Sequence, residues 1–146
     1  MKQWTFTTIL YVDHDAAFEA ALTKLKANDG FDKEVQLLVM DPHASEEVAH
    51  LCQGQANVRY CPMEDAEIGA AYNEGLRQAE GTYVNFCLAT AEYSGNIYKK
   101  VSVLFRRQRP TFFGLVVEVG FHALSVEGEV GEPLFLLLQR DRSFYS

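Results

Sequence analysis

The sequence has little cysteine and no long apolar run. Its three cysteines, Cys52, Cys61 and Cys87, are odd in number and form no C-x-x-C pair, which predicts neither a disulfide framework nor a zinc site. Reduced thiols are typical of a cytoplasmic protein. No apolar run is long enough to span a bilayer, and the opening stretch MKQWTFTTILYVDHD lacks the small-residue cleavage site of a signal peptide. We therefore expect a cytoplasmic protein with no membrane span.

The chain also lacks an excess of positive charge. Its formal net charge is −7, whereas a general nucleic-acid binder normally carries a basic stripe that matches the phosphates. Nucleic acid is therefore not expected as a partner. A composition of 48% hydrophobic and 23% charged residues is typical of a globular protein, and 146 residues suffice for one domain but not for two. We predict a single domain, 1–146, without internal repeats.

Strands and helices alternate through the first two-thirds of the chain. Short β-branched and aromatic runs predict buried strands, and apolar residues at helical spacing predict the helices between them. This alternation favours a three-layer α/β/α sandwich with a mainly parallel, Rossmann-like sheet. The predicted strands are 6–12, 34–40, 58–60 and 82–86, and the predicted helices are 16–27, 44–52 and 66–78.

The last third has a different pattern. A further helix is predicted over Asn96–Arg107, followed by strands within Thr111–Val126 and over Pro133–Gln139. Because no new strand–helix repeat occurs, we expect antiparallel hairpins added to the parallel half. We divide the domain into a βα half, 1–95, and a helix plus strand-rich extension, 96–146. The end at Ser146 has no polar tail, so a fragment of a longer protein is also an expectation.

Three predicted strands end in segments that can meet. Right-handed crossovers bring the carboxyl ends of strands one, two and four to the same edge of a parallel sheet, where α/β proteins bind ligands. Asp13, Asp41 and the loop Leu88–Ala91 should therefore converge on one crevice. This loop contains no charged residue before Glu92.

Three segments together resemble the nucleotide-binding portion of family-2 glycosyltransferases, which have the GT-A fold of nucleotide-diphosphosugar transferases. They are ILYVDHD, LLVMDPHASEE and GAAYNEGLRQAEGTYVNF, of which the last is similar to the family's G-x-A-R-N-x-G…A-x-G-x-Y-x-x-F run. The resemblance covers about the first two-thirds of the chain. The later stretch FGLVVEVGFHALSVEGEVGEPLFLLLQRD resembles a segment of bacterial cell-wall glycerophosphotransferases.

The resemblance implies a set of nucleotide-binding residues. Asp41 matches the aspartate that accepts a hydrogen bond from the base, and Asp13 lies in the segment that contacts uridine. Asn73 matches the asparagine of the Asn-x-Gly motif, although Tyr72 stands where the family has an arginine. The implied ligand is a nucleotide or nucleotide-sugar of the UDP type, bound by Asp41, Asp13 and Asn73.

The sequence departs from the family at Leu88-Ala89-Thr90. Family members have Asp-x-Asp there, whose carboxylates hold Mg²⁺ or Mn²⁺ against the diphosphate. Divalent ions of this kind require oxygen ligands, which leucine and alanine do not provide. We therefore expect no metal cofactor at this position and a glycosyltransferase-like domain with weak or no catalysis. No catalytic residue is identified.

Other interpretations of the same residues remain open. Asp13 or Asp15 could cap the helix that follows the first strand, and Asp41 could be a helix cap or a turn residue. Asn73 could serve packing, as could Gly75. His14 and His43 follow or precede aspartates at strand ends, as a metal pair would, but the sequence offers no third spaced ligand.

The remaining charged and apolar residues are also open to two readings. Glu92 could be a ligand or base, or a solvated loop residue, and the basic run from Arg106 to Arg109 could face phosphate or complement a helix dipole. The alternative function is a structural or protein-interaction module on the same fold. Apolar residues of the last strand, Leu134–Leu138, would then pair with a partner chain or a missing domain.

Overall fold

The chain forms seven strands and four helices in a computed structural model that describes residues 3–91, residue 98 and three later strands at 111–116, 121–126 and 135–140. The strands are β1 (Phe6–Tyr11), β2 (Val35–Asp41), β3 (Val58–Pro62), β4 (Tyr83–Leu88), β5 (Thr111–Val116), β6 (Phe121–Val126) and β7 (Phe135–Arg140). The helices are α1 (Asp15–Lys26), α2 (Phe31–Glu34), α3 (Glu46–Cys52) and α4 (Ile68–Gln78).

The strands form one sheet in the order β3-β2-β1-β4-β7-β6-β5. The first four run parallel: β1 pairs with β2 on one side and with β4 on the other, and β2 pairs with β3. This confirms the predicted α/β architecture with a parallel sheet. The remaining strands pair antiparallel, β7 with β4 and β6, and β6 with β5.

Helices cover both faces of the parallel strands. Successive strand residues point to opposite faces, so β1 contributes Phe6 and Leu10 to one core and Ile9 to the other. The first core contains α1 and α3 residues such as Phe18 and Val48. The second contains Ala71, Leu76 and Ala79 from α4 and the residue that follows it. All seven residues of β2 are buried, as expected for a strand that is covered on both faces.

Helix α4 lies very close to β1. A Cβ atom added at Gly75 would lie 2.5 Å from Cγ2 of Ile9, so only glycine permits this separation of helix and sheet. The expected packing role of Gly75 is therefore confirmed. Gly81 is similarly close to the backbone at the start of β1, where an added Cβ would lie 2.6 Å from the carbonyl carbon of Phe6.

Several predicted boundaries shift by one or two residues. Helix α4 begins at Ile68 rather than at residue 66, and β4 continues to Leu88, so that the predicted loop begins one residue later. The four-residue helix α2 was not predicted. The predicted helix over Asn96–Arg107, together with Glu92 and the arginines near its end, lies outside the described residues apart from Tyr98.

The predicted aspartate caps on α1 are wrong. The N-cap is His14, which makes no side-chain capping bond, and Asp15 is the first helical residue. Helix α3 has a side-chain cap instead, because Ser45 Oγ accepts a hydrogen bond from Val48 N at 3.4 Å. Within the described part of the chain, no helix is long and apolar enough to cross a membrane.

Candidate functional site

The carboxyl ends of the parallel strands meet at one edge of the sheet. Tyr11 near the end of β1 is level with Met40 of β2 and with Leu88 of β4. The chain builds β2 and β3 on one side of β1 and then crosses to place β4 on the other side. The change of direction between β1 and β4 is a topological switch point, the usual ligand position in open α/β sheets. The predicted convergence of these strand ends is confirmed.

Asp13 and Thr90 contact each other across this switch point. The backbone N–H of Thr90 donates to Asp13 Oδ1 at 3.2 Å, and the Thr90 hydroxyl donates to Asp13 Oδ2. Burial raises the pKa of Asp13. The hydrogen bonds from Thr90 and from the backbone N–H of Asp13, together with nearby His14, lower the pKa by more than burial raises it, so it lies below the usual 3.8. Asp13 is therefore an ionised, partly exposed carboxylate at neutral pH.

Asp41 is fully buried at the end of β2, and both of its carboxylate oxygens accept hydrogen bonds from neighbouring residues. Its Oδ1 accepts from the backbone N–H of His43 at 3.0 Å, and its Oδ2 accepts from the backbone N–H of Ser45 and from the Tyr60 hydroxyl, each at 2.8 Å. Three donors compensate for the burial of the charge. Asp41 thus fixes the loop between β2 and α3 and ties it to β3.

His43 joins this loop to the start of α1. Its Nδ1 lies 2.8 Å from Asp15 Oδ1 and 4.0 Å from Asp41 Oδ1. Since an ionised carboxylate only accepts, Nδ1–H is the donor in the bond to Asp15. His14, which was paired with His43 in the sequence interpretation, takes no part in this contact.

The segment Leu88-Ala89-Thr90 does not fit a divalent metal ion. Leu88 is half-buried and Ala89 belongs to the apolar core. The Thr90 hydroxyl donates a hydrogen bond to Asp13. The Asp13 carboxylate is the one anionic group in this contact. A hard divalent ion needs several oxygen ligands, which this segment and Asp13 do not supply.

Asn73 forms no hydrogen bond with Asp13 or Asp41, the other predicted nucleotide-binding residues. It is exposed on α4, and its side chain makes no hydrogen bond to any residue that the structure describes. The neighbouring Tyr72 has a packing role, because its hydroxyl donates to Cys87 O at 3.0 Å and its ring lies 4.5 Å from that of Phe86. Burial raises the pKa of Tyr72, so it remains a neutral phenol where the family has an arginine.

The edge carries acidic residues without matching lysine or arginine. The segments that follow the four parallel strands are 12–14, 42–45, 63–67 and 89–91. Their acidic residues are Asp13, Glu64, Asp65 and Glu67, and their basic residues are His14 and His43. A phosphate group bound here requires a cation or free backbone N–H groups. In these segments a phosphate would therefore depend on backbone N–H groups rather than on lysine or arginine side chains.

Four residues of this edge were missed by sequence reasoning. Ser45 could have been found, because a serine before Glu46 and Glu47 is a common helix N-terminus signal. Asp15, Tyr60 and Thr90 carry no such signal, since their partners lie 28, 19 and 77 positions away in the sequence.

Comparisons with known proteins support the fold. No protein-family model and no curated protein match the sequence. S. aureus TarS 1–349 in complex with UDP-GlcNAc matches with a TM-score of 0.63 and 18% identity, over 80% of this chain and 36% of that one. The mannosyltransferase PcManGT of Pyrobaculum calidifontis, in complex with GDP-Man and Mn²⁺, matches with a TM-score of 0.53 and 17% identity, over 64% and 29% of the two chains.

A nucleotidyl transferase of Methanothermobacter thermautotroptrophicus matches with a TM-score of 0.53 and 10% identity, over 91% of this chain and 70% of that one. The chain therefore has a nucleotide-sugar transferase-like fold. It spans about a third of the length of the matched TarS chain.

Proposed function

We propose that this chain is the nucleotide-binding part of a glycosyltransferase-like protein and that it binds a UDP-type nucleotide or nucleotide-sugar. The observation that carries the proposal is the contact between Asp13 and Thr90 at the switch point between β1 and β4. Open α/β sheets bind ligands at that point. The matched TarS structures include complexes with UDP and with UDP-GlcNAc.

In this proposal Asp13 contacts the nucleoside and Asp41 acts through the loop. Asp13 is ionised and partly exposed, so its oxygens can accept from a base or ribose donor. Asp41 is buried and accepts three hydrogen bonds. It thereby fixes the loop 41–45, against which the base would lie. Asn73 remains a predicted contact that would reach the ligand from α4.

We further propose that catalysis by this chain is weak or absent. Glycosyl transfer from a nucleotide-sugar leaves a diphosphate whose developing charge must be neutralised. At the position of the family's Asp-x-Asp, the chain has Leu88, Ala89 and a Thr90 hydroxyl that is donated to Asp13. A binding role is therefore favoured over turnover.

A non-catalytic interaction module is the alternative function, and the same Leu88-Ala89-Thr90 segment favours it. Among residues 3–91, Ile68, at 42% exposure, is the one exposed large hydrophobic residue. Leu138 and Gln139 of β7 are paired with β4 on one side and with β6 on the other, so a partner strand could not pair with these two residues.

Calorimetric titration tests the proposed function. UDP, UDP-GlcNAc and GDP-mannose are titrated into the protein in EDTA and again in Mg²⁺. We expect a UDP-type ligand to bind in EDTA, and Asp13→Asn to weaken binding about 10- to 100-fold, because a hydrogen bond to a charged group contributes about 1.5–3 kcal/mol. Asp29→Asn is the matched control, since Asp29 is exposed near the amino end of β2.

Three results would count against the proposal. Failure of every nucleotide to bind would favour the interaction module. Equal affinities in Asp13→Asn and Asp29→Asn would place the ligand away from the switch point. Sugar transfer that requires Mg²⁺ would contradict the proposed loss of catalysis.

A further inference from the structure

We propose that Asp15, Asp41 and His43 form a binding site for a divalent transition-metal ion. The three residues come from the start of α1, the end of β2 and the loop that follows β2. One ligand atom from each, two carboxylate oxygens and a ring nitrogen, lies within 4.8 Å of the others. The site is separate from Leu88-Ala89-Thr90, and it does not depend on nucleotide binding.

The distances suit a metal ion with little rearrangement. Metal–ligand bonds of about 2.0–2.2 Å hold the ligand atoms of a tetrahedral site about 3.3 Å apart. His43 Nδ1 lies 2.8 Å from Asp15 Oδ1 and 4.0 Å from Asp41 Oδ1, so these two separations lie on either side of that value, and the separation of the two carboxylates is within 4.8 Å. The ion would replace the proton that Nδ1 now donates to Asp15.

The donor set indicates the class of metal. An imidazole nitrogen with two carboxylates suits Zn²⁺ and its neighbours Co²⁺ and Ni²⁺, whereas Mg²⁺ and Ca²⁺ prefer oxygen ligands throughout. Three protein ligands leave at least one coordination position for water or another group.

The surroundings of Asp41 supply a second, independent feature of a metal site. Carboxylates that bind metals are usually oriented by further hydrogen bonds. Asp41 is fully buried, and its Oδ2 accepts hydrogen bonds from the Ser45 backbone N–H and the Tyr60 hydroxyl, neither of which belongs to the three proposed ligands. Oδ1 accepts only from His43 N among the described residues, and a carboxylate oxygen with one donor retains a free lone pair.

The net charge of the edge also favours a cation. The carboxyl-edge segments of the described chain contain aspartates and glutamates but neither lysine nor arginine. A bound divalent ion would supply positive charge beside the switch point. It would also link the loops after β1 and β2 more firmly than the half-exposed bond between His43 and Asp15 does.

Metal binding is tested with Zn²⁺ and Co²⁺ on the full chain without an affinity tag. Calorimetry with Zn²⁺ gives the stoichiometry and affinity, and the visible spectrum of Co²⁺ reports its ligands. We expect one ion per chain. His43→Ala and Asp15→Ala should each weaken Zn²⁺ binding at least about 100-fold, since loss of an outer partner alone costs about 10- to 100-fold.

The control variant is His50→Ala, which removes an exposed histidine from the last turn of α3 and should leave Zn²⁺ binding unchanged. Asp15 and His43 have side chains 39% and 51% exposed, so their replacement should leave the fold intact, which circular dichroism checks. The proposal is overturned if no Zn²⁺ binds, if His43→Ala binds as tightly as His50→Ala, or if Co²⁺ shows the absorption band of a cysteine thiolate ligand.

Discussion

At the residue scale, Asp13 and Thr90 form a contact that local sequence patterns do not predict. They lie 77 positions apart in the sequence, and no local pattern links them. The sequence predicts that each residue lies at the end of a parallel strand. Their hydrogen bonds depend on the pairing of β1 with β4 in one register, which is a tertiary property.

Removing the Thr90 hydroxyl should destabilise the protein in a pH-dependent way. Thr90→Val should lower the free energy of unfolding by about 0.5–1.5 kcal/mol at neutral pH, because the charged Asp13 loses a donor. The folded-state pKa of Asp13 is depressed, so this stabilisation is present above its unfolded pKa and is lost as the pH falls through the lower folded pKa. Urea denaturation across a pH series should show the difference between wild type and variant narrowing below the usual pKa of 3.8.

Thr23→Val provides the comparison for this experiment. The Thr23 hydroxyl is also exposed, but it donates to the carbonyl oxygen of Glu19 at 2.9 Å, an acceptor that does not titrate. The effect of Thr23→Val should therefore be constant over the same pH range. A constant effect in Thr90→Val as well would mean that Asp13 has no depressed pKa.

At the scale of elements, the local sequence pattern predicts the strands and the longer helices, but not the short helix α2 or the cap of α1. The buried run of β2 and the apolar face of α4 were predicted within one to two residues of their observed bounds. Helix α2 has four residues, one of them buried, which is too short for a helical period to show. The start of α1 was assigned to aspartate capping, yet Asp13 bonds to Thr90 and Asp15 bonds to His43 instead.

The close approach of α4 to β1 predicts the effect of a single methyl group. Gly75→Ala should lower the free energy of unfolding by about 1–3 kcal/mol, because the new Cβ would overlap Ile9 in a packed core. Gly69→Ala in the same helix is the control, since a Cβ there has no neighbour within 4 Å, and it should be neutral or stabilising by up to about 1 kcal/mol. Urea denaturation measures both, and equal stabilities of the two variants would show that α4 can shift away from β1.

The whole molecule combines a predictable scaffold with a site that only the fold assembles. The order β3-β2-β1-β4 places the switch point beside β1. The alternation of strands and helices predicted a parallel sheet whose strand ends converge, but not this strand order. The cluster of Asp15, Asp41 and His43 was not foreseeable, because Asp15 was assigned to a cap and only tertiary contact supplies the third ligand. The division of the chain at residues 95 and 96 remains a prediction.

The location of the bound nucleotide tests the proposed function most directly. Hydrogen–deuterium exchange is measured with and without saturating UDP-GlcNAc and is followed at both edges of the parallel sheet. We predict slower amide exchange at the carboxyl edge, in residues 12–15, 41–46 and 88–91, with no change at the amino edge, in residues 27–34, 53–57 and 79–82. Slower exchange confined to the amino edge, or unchanged exchange at both edges, would contradict a nucleotide site at the switch point.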